Sequence, residues 1–154
     1  MLTPVSDTPI SRCQFYRRVC ALPATVRPDT ERIVFRAGPV GAVTMPAALG
    51  GQVRLHLRRR TLGGGPVISH PRSKRWTFLV QPDLPDDVPL FCELFRLNVL
   101  IAAAGAEVAL PSPTVRSAGF RLWVDEPTHP FRPSGLAVVA AVRACVDPGS
   151  VRSG

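Results

Sequence analysis

Lysine is almost absent from this chain: Lys74 stands alone against 18 arginines. Acidic residues are scarce too, 11 in 154, so the formal net charge is +8 and the isoelectric point lies near 10.9. An acidic partner such as phosphate or nucleic acid is therefore electrostatically easier to bind than a basic one. Part of the excess has a blander source, because Arg, Pro, Ala, Gly and Val are all favoured by GC-rich codons. Long apolar runs are missing: a stretch such as residues 99–104 falls far short of the roughly 18 needed to cross a bilayer. The first 30 residues show no basic segment leading into an apolar one, so no secretory leader is expected.

Cysteine is sparse as well. Cys13, Cys20, Cys92 and Cys145 form no CxxC pair, and their spacing fits no usual zinc site. Cys92 and Cys145 fall within apolar helical patterns and are expected to behave as small buried hydrophobes. Reduced thiols and the lack of a leader or membrane span together predict a cytoplasmic protein with no membrane partner.

Catalytic signatures are also lacking. There is no GxSxG elbow and no P-loop; Gly63-Gly64-Gly65 closes a helical pattern instead of opening one. His56, His70 and His129 lie in three separate segments without Cys or carboxylate neighbours at ligand spacing. Two-metal chemistry needs converging carboxylates, and Asp86-Asp87 and Asp125-Glu126 are adjacent pairs that a strand would send to opposite faces. No metal site and no cofactor are expected.

What is present is enough for one folded domain. Hydrophobic residues make up 45% and charged residues 19%, unlike a disordered chain, which is poor in apolar residues and dense in charge. Residues 1–30 carry Pro4, Pro9, Pro23 and Pro28 and read as an irregular N-terminal arm, with room for one short helix over 11–22. Strands are expected at 33–35 and 40–45. Pro46 then opens a helix on which Leu49, Val53 and Leu57 recur every fourth residue. Strands at 67–69 and 75–80 follow, the second (RWTFLV) rich in β-branched and aromatic residues. Asp86 or Asp87 is suited to capping the next helix, whose apolar side holds Leu90, Phe91, Leu94, Phe95 and Leu97. Strands at 98–103, 107–110 and 120–124 precede a last helix from Ser134 to about 146, with Val138, Val139, Val142 and Cys145 facing inward. The order is ββα-ββα-βββα. It predicts an α+β domain over residues 31–147, an antiparallel or mixed sheet with helices packed on it, and a flexible tail at 148–154.

The basic turn at 70–75 is the main candidate for chemistry. Arg72, Lys74, Arg75 and the neighbouring Trp76 offer charge for a phosphate and a ring on which a base can stack. The alternative is that Trp76 and Phe78 fill the core while the turn is merely solvated. A lesser candidate is the loop of Asp125, Glu126 and His129, as a residual acid–base site.

Three stretches bear a family resemblance. Residues 40–45 occupy the place of a strand written hydrophobic-Asp-x-Asp, but hold Ala42 and Thr44 where acids would stand. Residues 69–76 occupy the place of a TPSGGRH-like turn; Pro71, Ser73 and Arg75 can be matched, and Trp76 stands where the His belongs. Asn98 takes the place of a third acid, followed in order by Gly105, Pro111-Ser112, Gly119 and Trp123. From about residue 33 to 127 the chain thus resembles the N-terminal domain of bifunctional DNA primase/polymerases of the archaeal–eukaryotic primase type. It is most similar to the small, divergent actinobacterial relatives of that domain. The resemblance implies the family's fold with Ala42, Thr44, Trp76 and Asn98 as a vacated site. Without those carboxylates, metal-assisted nucleotidyl transfer loses its central charge stabilisation. The expectation is a non-catalytic domain that binds nucleic acid or nucleotides weakly. The alternative is an adaptor that captures another protein through the arm around Phe15 and Tyr16.

Overall fold

The computed structural model describes residues 7–60, 65–113 and 120–146. Helix α1 (Pro9–Arg18) and the short strand β1 (Thr25–Val26) come first. Then follow β2 (Ile33–Arg36), β3 (Gly41–Pro46), α2 (Ala47–Arg60), β4 (Val67–His70), β5 (Arg75–Val80) and α3 (Val88–Arg96). The chain continues through β6 (Leu100–Ile101), β7 (Glu107–Leu110), β8 (Leu122–Asp125) and α4 (Gly135–Val146). From β2 onward the order is the expected ββα-ββα-βββα, and every paired strand runs antiparallel to its neighbour. The fold is α+β.

The strands form two sheets, one of three in the order β1-β2-β7 and one of five in the order β6-β3-β5-β4-β8. Side chains alternate across a pleated strand, and in the larger sheet that alternation builds two separate cores. Val43 and Met45 of β3, Val67 of β4, and Phe78 and Val80 of β5 pack with Val53 and Leu57 of α2, Leu90 and Leu94 of α3, and Val138 and Val142 of α4. The intervening Ala42, Ile68 and Leu79 turn the other way. They meet Ile33 and Phe35 of β2, Leu110 of β7, and Cys13 and Tyr16 of α1. The larger sheet is thus a wall between a helical layer and a layer made of the smaller sheet and α1.

Two N-terminal caps follow the residue chemistry. Thr8 and Ser11 bond reciprocally in a capping box at the start of α1, with Pro9 at the first helical position. Ser134 accepts from the backbone N–H groups of Leu136 (3.1 Å) and Ala137 (3.4 Å) to begin α4, as expected. Asp87 occupies the cap position of α3, but its side chain makes no capping bond.

The segment expected to be an irregular arm is built into the second core over most of its length. Tyr16 is 1% exposed. Its hydroxyl donates to the Pro111 carbonyl at 2.7 Å and accepts from Trp123 Nε1 at 3.0 Å, clipping α1 across β7 and β8. Burial drives the Tyr16 phenol well above its ordinary range, so the hydroxyl keeps its proton. Cys20, Leu22 and Ala24 are buried alongside. The proline spacing hid this, because a ten-residue helix and a two-residue strand both fit between the breakers. The Gly63-Gly64 stop and the 148–154 tail lie outside the described residues.

The third helix also differs from its reading. Leu90 and Leu94 enter the core, but Phe95 is 68% exposed and Phe91 and Cys92 also face out. Its apolar character wraps further round than the sheet can cover.

Candidate anion-binding cleft

On the face away from α2, α3 and α4, the two sheets part to leave a cleft of about 380 Å³. Its floor comes from the strand pleat. Thr44 of β3 lies opposite Thr77 of β5, and their hydroxyls bond at 2.8 Å. The Thr77 hydroxyl also bonds His70 Nε2 at 2.8 Å. Three strands are therefore joined by a Thr44–Thr77–His70 chain. Thr77 is 4% exposed and is the one buried polar side chain of the core among the described residues; these two bonds satisfy it.

Three arginines also line the cleft. Arg75 enters from the end of β5, its Nη2 donating to the backbone carbonyls of Asn98 (2.8 Å) and Thr44 (3.3 Å). Arg32 enters just before β2 and Arg121 just before β8. None of the three has a carboxylate within ion-pairing distance among the described residues, whereas Arg12, Arg27, Arg54 and Arg143 all do. Among the described residues the sole acid lining the cleft is Glu107, and its carboxylate is held at 2.5 Å by Arg27.

The cleft's charged groups are held in an unfavourable setting. Burial lowers the Arg121 guanidinium below its ordinary value, and Arg32 lowers it further. Its Nε is buried with no hydrogen-bond partner. Such an atom carries the full desolvation cost of a charged donor. Burial, then Arg121 and Arg75, push the His70 imidazole below its usual value of 6.5, so it is neutral at pH 7. An anion seated here would give Arg121 a partner, offset the mutual repulsion of the guanidiniums and accept from the hydroxyls and from a protonated His70.

The sequence-derived site residues divide between the two faces. Ala42 and Thr44 line the cleft, whereas Asn98 is not among its lining residues and touches Arg75 only through its backbone carbonyl. Trp76, one residue from Arg75 on the strand, points to the opposite face. There it lies on Gly50 of α2, where a Cβ would come within 2.8 Å of the indole. Trp76 therefore packs under the helices and not beside the basic groups. Arg72 sits over the Phe120 ring at 4.0 Å, a cation–π contact outside the cleft. Lys74 is exposed with φ +56, and its carbonyl accepts from the Ala47 N–H at the start of α2. Thr77, Arg32 and Arg121 were missed by motif reading, since they are distant in sequence and meet only through strand pairing. The one readable signal was alternation: Arg75 and Thr77 share a face that Trp76 does not.

Other candidate groups are engaged elsewhere. Asp125 is gripped by Arg54 Nε and Nη2 at 2.5 and 2.8 Å, and Glu126 by Arg12 at 2.9 Å. The two acids are thus drawn to opposite layers, as their adjacency on a strand requires. His129 is exposed and accepts through Nδ1 from the Phe131 N–H. No group of three or more His, Cys, Asp or Glu side chains placed to hold a metal ion occurs among the described residues. Nor is any described helix long and apolar enough to cross a membrane. Comparison with protein-family models, curated proteins and solved structures finds no match to this chain.

Proposed function

We propose that this chain is a non-catalytic binding domain for nucleic acid or nucleotide phosphate, and that the inter-sheet cleft is where the phosphate sits. One observation carries the reading: Arg32, Arg75 and Arg121 converge with none of them ion-paired among the described residues, the neighbouring Glu107 being held by Arg27, and Arg121 Nε is buried without a partner. A protein that desolvates a guanidinium and leaves it unpaired incurs a cost that a bound anion would remove. The net charge of +8 would steer a polyanion to the surface. Thr44 and Ala42, which stand where the resembled primase/polymerase family carries metal-binding acids, are cleft residues here. That placement supports a phosphate site from which the cation chemistry has been lost.

The test is titration of fluorescently labelled single-stranded DNA at two salt concentrations, with Arg121→Met and Arg75→Ala beside the natural sequence. Binding should weaken as salt rises. Each substitution should reduce the slope of log affinity against log salt by roughly 1. Absence of binding at low salt, or binding indifferent to salt, would overturn the reading.

The adaptor alternative, which rests on the arm around Phe15 and Tyr16 and on the exposed part of the proline-rich loops, is less favoured by the arm. Tyr16 is buried and doubly hydrogen-bonded, and Phe15 packs against the same core. Deleting residues 1–30 would open the second core instead of removing a docking arm.

A further inference from the structure

The largest convergence of exposed apolar side chains among the described residues lies on α3 and β6. Val88, Phe91 and Phe95 of α3 and Leu100 of β6 are 69%, 36%, 68% and 47% exposed. The remaining exposed apolar residues, such as Ile10, Leu55, Leu122 and Leu136, are scattered singly over other elements, which is ordinary for a protein surface. Val88, Phe91 and Phe95 recur at i, i+3 and i+7, so they form one stripe along the helix beside the buried Leu90 and Leu94. Between the stripe and β6 runs a groove of about 490 Å³, lined by Val88, Phe91, Cys92, Phe95, Val99 and Leu100 among others. β6 is one of the two edge strands of the five-stranded sheet.

The charges at the ends of the stripe say what fits it. Asp86 and Asp87 precede the first turn of α3, and Arg96 ends the last. None of the three has an ion-pair partner among the described residues, and Asp87 does not spend its carboxylate on the cap. Glu93 and Arg143, by contrast, are already paired with each other at 2.7 Å. The stripe is therefore negative at one end, positive at the other and apolar between. Such a surface is complementary to itself when turned end for end.

We propose that a second copy of this chain covers this face. The two α3 helices pack antiparallel about a two-fold axis that passes near Phe91 and Cys92, midway between Val88 and Phe95. Phe95 of each copy enters the groove of the other, and Arg96 of each faces Asp86 and Asp87 of the second copy. A two-fold contact of this kind is closed and self-limiting, unlike a head-to-tail one that would propagate. Burying the aromatic anchors supplies the affinity, and the end charges set the antiparallel direction.

Sedimentation velocity on the full chain over a range of concentrations tests this. The natural sequence should associate to a dimer, and Phe95→Glu should weaken association by at least about thirtyfold. Arg96→Asp and Asp87→Arg should each weaken the dimer, whereas the two together should recover most of the loss. A short bis-maleimide should link two copies through Cys92, and Cys92→Ser should abolish the link. Far-UV circular dichroism checks that each variant folds; if Phe95→Glu does not, the charge-exchange series decides alone. A natural sequence that stays monomeric up to its solubility limit would overturn the proposal. So would a dimer that Phe95→Glu leaves intact, or a double exchange no better than its single changes.

Discussion

The two faces of the five-stranded sheet are built from the same strands, one residue out of step, and they are chemically opposite. The helical face is apolar: Val43, Met45, Phe78 and Val80 meet apolar residues of α2, α3 and α4. The other face begins as a core around Leu79, Ile68 and Phe35. It then changes at one end to Thr44, Thr77, His70 and three arginines. Hydrophobic burial on both sides stabilises the sheet, so one end of one face can carry groups that cost stability. The contrast teaches that residue alternation, and not segment identity, separates structure from function in β5. Arg75 and Thr77 belong to the cleft, Trp76 and Phe78 to the helical core.

Substitutions can break this comparison from either side. Phe78 is fully buried, and Phe78→Ala is expected to cost about 3–5 kcal/mol, read as a lower denaturant midpoint. Thr77→Val should cost less, about 1–2 kcal/mol, because it leaves Thr44 and His70 without their shared hydroxyl partner. Arg121→Met should leave the melting temperature unchanged or raise it while weakening DNA binding, since it removes a buried donor that has no partner. A variant at Arg121 that lost stability and binding together would make the cleft arginines structural. The smallest effect concerns pH. His70 holds its proton less tightly folded than unfolded, because of burial and then Arg121 and Arg75. Its contribution to stability is therefore present above about pH 6.5 and is lost as pH falls through its depressed folded value. Melting temperatures at pH 7.5 and 5 should show this drop, and His70→Gln should shrink it.

The sequence carried the element order well and the faces poorly. The Leu49, Val53 and Leu57 spacing marked α2, and RWTFLV marked β5, because helical and strand periods are local properties. The strand order β6-β3-β5-β4-β8 is not local, and no residue pattern announces it. For that reason Arg32 and Arg121, 89 positions apart, were not recognisable as neighbours across one cleft. Phe91 and Phe95 were read as core since a helix apolar over most of its circumference does not say which part the sheet will cover. Cys92 was read as buried for the same reason, and it is exposed. Burial drives the Cys20 thiol up to about 11 and raises Cys13 as well, so both stay protonated while Cys92 lies open to reagents.

The central claim is that the polar end of the inner face holds an anion, and His70 reports on it directly. Its imidazole can be titrated by NMR with and without a saturating short single-stranded oligonucleotide. A phosphate seated among Arg32, Arg75 and Arg121 would favour the protonated ring, so the His70 pKa should rise from its depressed value toward or above 6.5 when DNA is bound. An unchanged His70 titration with DNA demonstrably bound would place the nucleic acid elsewhere and contradict the account.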